Sequence, residues 1–196
     1  MMRFSFGFLL LFVPLVASAV NVERTTTFFQ RHKDWISVGF AEASFERVIV
    51  ARAASEDART AATLTIDFLV NNRCATDIQL VYKMDSPVSE PILQQPTYGL
   101  MQVDNRDPLY VNGSLNASVG DKFLFLTLHL ADKEIQKIKA ARSIVFNMHH
   151  HRIATFSLSG FNNAYSKAKK LCSHFMLSPK REKPTLHFPL ARSTPP

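Results

Sequence analysis

Three consecutive histidines, His149-His150-His151, form the one run in this chain whose side chains are metal ligands. On a strand, His149 and His151 would share a face and could present two imidazoles to Zn, Cu or Ni. A structural zinc site needs a full tetrahedral ligand set and a catalytic one most of it, yet no cysteine or acid lies nearby in sequence. His129 would have to arrive from a neighbouring strand. The competing reading is an exposed polar hairpin tip. No metal or cofactor is therefore assigned, and His129, His149 and His151 stand as candidates for a metal-binding protein or hydrolase.

Other catalytic chemistries leave weaker traces. Ser157, Ser159 and Gly160 approach a nucleophile elbow, Gly-x-Ser-x-Gly, but the first glycine is missing. Asp104, Asp107 and Asp121 could pair in space as glycosidase carboxylates do, although each sits in a turn context where Asp is expected anyway. Six glycines in total supply no phosphate-cradling loop, and Cys-x-x-Cys is absent. The expectation is a protein that is not an enzyme.

The amino terminus sets the compartment. Arg3 precedes an apolar run from Phe6 to Val16, and Ala17-Ser18-Ala19 has the small-x-small form of a signal-peptidase site. The run is shorter than the ~20 residues of a membrane span, with an uncleaved anchor as the alternative. Export to the periplasm or beyond makes the two cysteines, Cys74 and Cys172, a predicted disulfide. Closing so long a loop contributes roughly 4–5 kcal/mol in the chain-entropy model. Two buried free thiols are the alternative.

Formal net charge is +7, with denser positive charge at Lys167, Lys169, Lys170, Lys180, Arg181 and Lys183. An exported basic protein is drawn to anionic surfaces such as phospholipid headgroups or acidic polysaccharide, so the carboxy-terminal region is a candidate peripheral membrane or polysaccharide contact. A solvated helix face is the plainer account of the same lysines. Nucleic acid is not an expected partner outside the cytoplasm.

The elements that would carry these residues are mostly strands. Residues 20–34 read as an irregular or edge segment, and Trp35–Phe40 as a short strand with Trp35 in the core. Phe45–Ala53 is strand-like, and Ser55–Ala62 a polar connection. Thr63–Val70 alternates Leu64, Ile66, Phe68 and Val70 against Thr63, Thr65 and Asp67, the pattern of a half-buried strand. Asn71-Asn72-Arg73 predicts a turn into a second alternating run with Ile78, Leu80 and Tyr82, forming a hairpin. Residues 85–96, with Pro87, Pro91 and Pro96, read as a loop. Leu100–Asp104 and Leu109–Val111 are strands about a turn at residues 105–108. Asn112-Gly113 reads as a further tight turn, and Asn112 and Asn116 are also formal N-glycosylation acceptors.

Residues 121–130 are apolar on both faces, as in a central strand. Asp132–Ala141 spaces Ile135 and Ile138 for a short surface helix. Ser143–Met148 and Ile153–Leu158 are strands about a tip at residues 149–152. Gly160 breaks the chain before a helix from Phe161 to Leu171 that buries Phe161, Ala164, Tyr165, Ala168 and Leu171. Five prolines after Ser173 predict a mobile tail.

The order strand, lysine-bearing short helix, strand, and then Phe156-Ser157-Leu158-Ser159-Gly160-Phe161 followed by Ala164 resembles the carboxy-terminal part of the invasion-associated locus B family. These are exported proteins of Gram-negative bacteria. Asp34-Trp35 and Val103-Asp104 are similar to recurring points of that family, and the resemblance centres on Phe123–Cys172. It implies a sandwich with appended helices and brings no catalytic residues with it. The last helix, ending on Cys172, is also similar to periplasmic accessory proteins of type VI secretion.

The expectation is thus mainly β: an antiparallel β-sandwich with a short surface helix and a C-terminal helix. Residues 1–19 would be a signal peptide, 20–172 a single β-sandwich domain, and 173–196 a Pro-rich basic tail. The expected function is a non-catalytic binding module of the bacterial envelope, partnered by an envelope protein or an anionic surface. A periplasmic immunity or secretion-accessory protein is the alternative within that class.

Overall fold

The computed structural model describes residues 24–42, 48–149, 151 and 153–177. The expected signal peptide lies outside the described residues, as do His150, Arg152 and everything from residue 178, including Lys180, Arg181 and Lys183.

The chain forms one ten-stranded antiparallel sheet. In sequence order its strands are β1 (Arg24–His32), β2 (Trp35–Glu42), β3 (Val48–Asp57), β4 (Ala62–Leu69), β5 (Ala75–Lys83), β6 (Ile92–Val103), β7 (Leu109–Ala117), β8 (Phe123–Leu128), β9 (Ser143–Met148) and β10 (Ala154–Ser157). In space they run β1-β2-β3-β4-β5-β8-β7-β6-β9-β10. Among the described residues two α-helices accompany them, α1 (Asp132–Lys139) and α2 (Phe161–Leu177). The mainly antiparallel β fold with a short helix and a C-terminal helix is as expected.

Period-two alternation puts one row after another of aliphatic side chains on the inner face. Leu64, Leu80, Leu126 and Leu115 stand opposite one another across β4, β5, β8 and β7, and Ile66, Ile78 and Leu128 repeat the pattern one step along. All seven are buried. Each contributes roughly 1.5–3 kcal/mol by leaving water, which makes this face the main stabilising surface.

So wide a sheet curls, and here it curls until β10 lies against β3 although no ladder joins them. Three contacts hold that closure. The Trp35 indole N–H donates to the Ser157 carbonyl at 2.8 Å, with its ring fully buried. The Asp57 carboxylate accepts from the Thr155 backbone N–H at 2.9 Å. The Asp34 N–H reaches the Ser159 carbonyl. Gly160 follows directly, at φ +91°, where a side chain would run into the His32 carbonyl. Only glycine meets both demands without cost.

α2 then crosses the inner face of β1–β4. Phe161 packs edge-on against Trp35 at 4.8 Å and Tyr165 against Phe68 at 5.1 Å. A disulfide between Cys74 and Cys172, 98 residues apart in sequence, ties the helix to the β4–β5 connection. α1 adds Ile135 and Ile138 to the same core.

Several local expectations are corrected. Residues 55–57 continue β3 instead of starting a connection, because their ladder partners Leu64, Thr63 and Ala62 are in place. The left-handed angles of the β4–β5 turn fall on Arg73 and Cys74, the two asparagines being taken up in a 3-10 turn, Val70–Asn72. Pro96 lies inside β6. It is tolerated because β9 joins β6 only from Gly99 onward, so Pro96 has a strand, β7, on one side only. Asn112-Gly113 is mid-strand in β7, where a Gly113 side chain would meet the Thr127 carbonyl of β8; the glycine serves close strand approach. α2 runs on to Leu177, so residues 173–177 belong to the helix and not to the tail.

Two measurements test the closure. Trp35→Phe removes a buried donor and opens space, and urea unfolding should show a loss of about 2–4 kcal/mol. Burial alone would raise the Asp57 carboxyl, but the Thr155 and Arg59 backbone N–H groups win and hold it below the ordinary range. A depressed folded value stabilises above the unfolded value of ~3.9 and is lost as pH falls through the folded one. The stability gap between wild type and Asp57→Asn should therefore be full at neutral pH and close in strong acid, read as Tm across that range.

Candidate functional site

The structure does not gather the three candidate histidines. His149, at the end of β9, stacks on Tyr98 of β6 with ring centroids 4.9 Å apart. His151, in the tip, stacks on Tyr82 of β5 at 5.3 Å. Tyr82 belongs to the inner core, where burial pushes its phenol up to about 12, whereas Tyr98 stands on the opposite, outer face. The two histidines therefore serve different faces rather than sharing one. His129 follows β8, and three strand spacings of ~4.8 Å put it roughly 14 Å along the sheet from His149. Among the described residues no three His, Cys, Asp or Glu side chains come together as metal ligands.

The register arranges something else. On the outer face, Arg52 stands opposite Asp67, and Asp67 opposite Asp77. Ile78 pairs with Leu128 and Leu128 with Gly113, which sets His129 beside Asp77 and Asn112 beside His129. The His129 N–H indeed donates to the Asn112 carbonyl. Asn112 pairs with Tyr98, and Tyr98 receives the N–H and the ring of His149. One lateral row thus crosses from β3 to β9, changing from charged and buried to neutral and exposed.

The charged end is structural. Arg52 donates from Nε and Nη2 to the two Asp67 oxygens, both at 2.6 Å, and both side chains are buried. The Phe40 ring caps the guanidinium at 5.4 Å. Burial pulls the guanidinium down, but the charge and hydrogen bonds of Asp67, with Asp77 behind, hold it above its ordinary value. Asp77 is raised, first by burial and then by the like charge of Asp67, while the Gln79 amide, Arg52 and His129 oppose the rise. Such a fixed, bidentate pair locks the register of β3 against β4.

The neutral end is open. Tyr98 is 55% and Tyr110 87% exposed; Tyr110 pairs with Leu100, so the two rings are diagonal neighbours on one face. Asn112, Asn147, His129 and His149 are exposed around them, and Ser114 and Thr127 are half-buried. β6, β7, β8 and β9 contain no Asp, Glu, Lys or Arg at any position.

The remaining candidates are turn builders. Asp104 Oδ1 accepts from the Arg142 and Ser143 N–H groups, which, against a small opposing effect of burial, hold its carboxyl low. Asp121 accepts from the Ser118 N–H, and Asp107 lies in the β6–β7 turn. Ser157 accepts from the Ser159 N–H at the end of β10. Each is engaged by backbone N–H groups or by turn geometry, and among the described residues no three acids gather.

Sequence reasoning missed both ends of the row. Asp67 was legible as an outward position of its strand, but its partner lies 15 residues upstream in a strand read as ending at Ala53. The charge-free stretch is visible as a string, but the loop reading of residues 85–96 and the turn reading of Asn112-Gly113 break it into pieces. Neither protein-family models, curated proteins nor solved structures give a match to this chain.

Arg52→Met strands a buried carboxylate and should cost about 3–5 kcal/mol by urea unfolding. Arg52→Met with Asp67→Leu should recover most of that loss, since the desolvated charges then leave together.

Proposed function

We propose that this chain is an exported, non-catalytic binding module of the bacterial envelope, gripping its partner through the outer face of β6–β9. One observation carries the reading. α2 and the disulfide secure the inner face at the β1–β4 end of the sheet, while the outer face of β6–β9 exposes Tyr98, Tyr110, Asn112 and Asn147 and carries no Asp, Glu, Lys or Arg. Interfaces are enriched in Tyr and depleted in charge at their centres, whereas ordinary solvated strands carry Lys and Glu.

The disulfide is what an oxidising compartment supports, in keeping with the leader-like residues 1–19. Among the described residues no helix is long and apolar enough to cross a membrane. The family we propose, invasion-associated locus B-like, rests on the residues of Phe123–Cys172 quoted above. The lysines of α2 remain the proposed secondary contact with anionic surfaces, Lys169 and Lys170 being exposed.

Expression of the full chain in a Gram-negative host tests export. Intact mass spectrometry of the periplasmic fraction should show a chain beginning after Ala19 with both cysteines oxidised. A full-length chain with two free thiols would overturn it. Immobilised mature protein should retain a component of the periplasmic extract that Tyr98→Ala with Tyr110→Ala fails to retain; equal retention by both would remove this face from the function.

A further inference from the structure

We infer that the outer face of β6–β9 binds an uncharged polysaccharide chain. The inference rests on the binding-module reading and names the class of its ligand.

Three features of the face select that ligand. The first is charge. The chain has a net charge of +7 and 20% charged residues, yet the four strands carry no ionisable acid, lysine or arginine. Phosphate, carboxylate or sulfate groups would find no lysine or arginine on these strands, so electrostatic matching favours a neutral partner.

The second is the mixture of side chains. Tyr98 and Tyr110 offer rigid rings with a polar tip, and Tyr98 is backed by the parallel ring of His149, tilted only 15° from it. Amides of Asn112 and Asn147 and hydroxyls of Ser114 and Thr127 lie between and beside them. Amides both donate and accept, as hydroxyl-rich ligands require. A sugar ring matches this alternation, with a C–H face to lie on an aromatic ring and a hydroxyl rim to meet the amides. A protein partner of apolar character would instead favour a cluster of aliphatic anchors. Around the two tyrosines the outward aliphatics Leu100 and Val145 are half-buried, Phe125 is buried against Val81, and the one strongly exposed aliphatic of these strands, Leu93, stands alone at the start of β6.

The third is shape. Diagonal neighbours on a sheet stand roughly 7–8 Å apart, so Tyr98 and Tyr110 make a line of contacts and not a cavity. Small molecules favour concave pockets; an extended polymer gains from a run of shallow contacts.

The mature protein is run in native gels containing hydroxyethyl cellulose, laminarin, mannan or galactomannan, with alginate as the anionic comparison. We expect retardation by at least one neutral polymer, unchanged in about 0.5 M NaCl, where ion-pair attraction is screened out. Tyr110→Ala should weaken it at least about tenfold, as loss of a central aromatic does, and circular dichroism should match wild type because Tyr110 is 87% exposed. No retardation by any neutral polymer overturns the inference. So does retardation by alginate alone that salt abolishes, which would point to the lysines of α2. Concentration-dependent dimers lost in Tyr110→Ala would overturn it in favour of a second copy. A silent gel beside a protein retained from periplasmic extract through this face would sink the polysaccharide and leave the binding module standing.

Discussion

The indole N–H of Trp35 on the carbonyl of Ser157 is the contact on which the remaining architecture depends. It joins the second strand of the sheet to the last, across 122 residues of chain, and it does so at the point where α2 begins. The Trp35 ring packs on Phe161, the first residue of that helix. A ten-stranded sheet has a natural twist but no intrinsic reason to stop curling at one radius. Here the radius is set by a buried ring that has to find both an acceptor and a packing partner. Asp57 on the Thr155 N–H and Gly160 under the His32 carbonyl reinforce the same corner.

From that corner the two faces acquire different fates. The inner face receives α2 and α1, and the Cys74–Cys172 bond makes dissociation of α2 expensive by closing a long loop in the unfolded chain. The outer face divides in turn. Over β3–β5 it holds a buried guanidinium–carboxylate pair, whose directional bonds penalise any slip in register because a one-residue shift would send one partner to the opposite face. Over β6–β9 it holds no charge, and its aromatic and amide side chains meet solvent. The buried charges and the open neutral patch occupy one lateral row, so register alone brings the second into line with the first.

The histidines show why composition is a poor guide to a site. His149 and His151 are two apart, which on a continuous strand means one face. But β9 ends at Met148, and the tip turns, so each ring stacks on a tyrosine from a different strand. Stacking uses the ring faces and fixes orientations that point apart. A run of ligand-type residues became two separate aromatic pairs.

How much was legible follows from the range of the forces concerned. Alternation along Thr63–Val70 and Asp121–Leu130, helical spacing in Asp132–Ala141, and two cysteines after a leader-like run determined the mainly β class, the two helices and the disulfide. All three signals are local, or nearly forced by there being only two thiols. Pro96 and Asn112-Gly113 misled because their turn preference is real in isolation and is outweighed by ladders whose partners lie elsewhere in the chain. The Arg52–Asp67 pair, the parting of His149 from His151 and the charge-free exposed face were decided by the tertiary structure alone. Each depends on which strand lies beside which, and strand order β5-β8-β7-β6-β9 is set by long-range burial that no window of sequence contains.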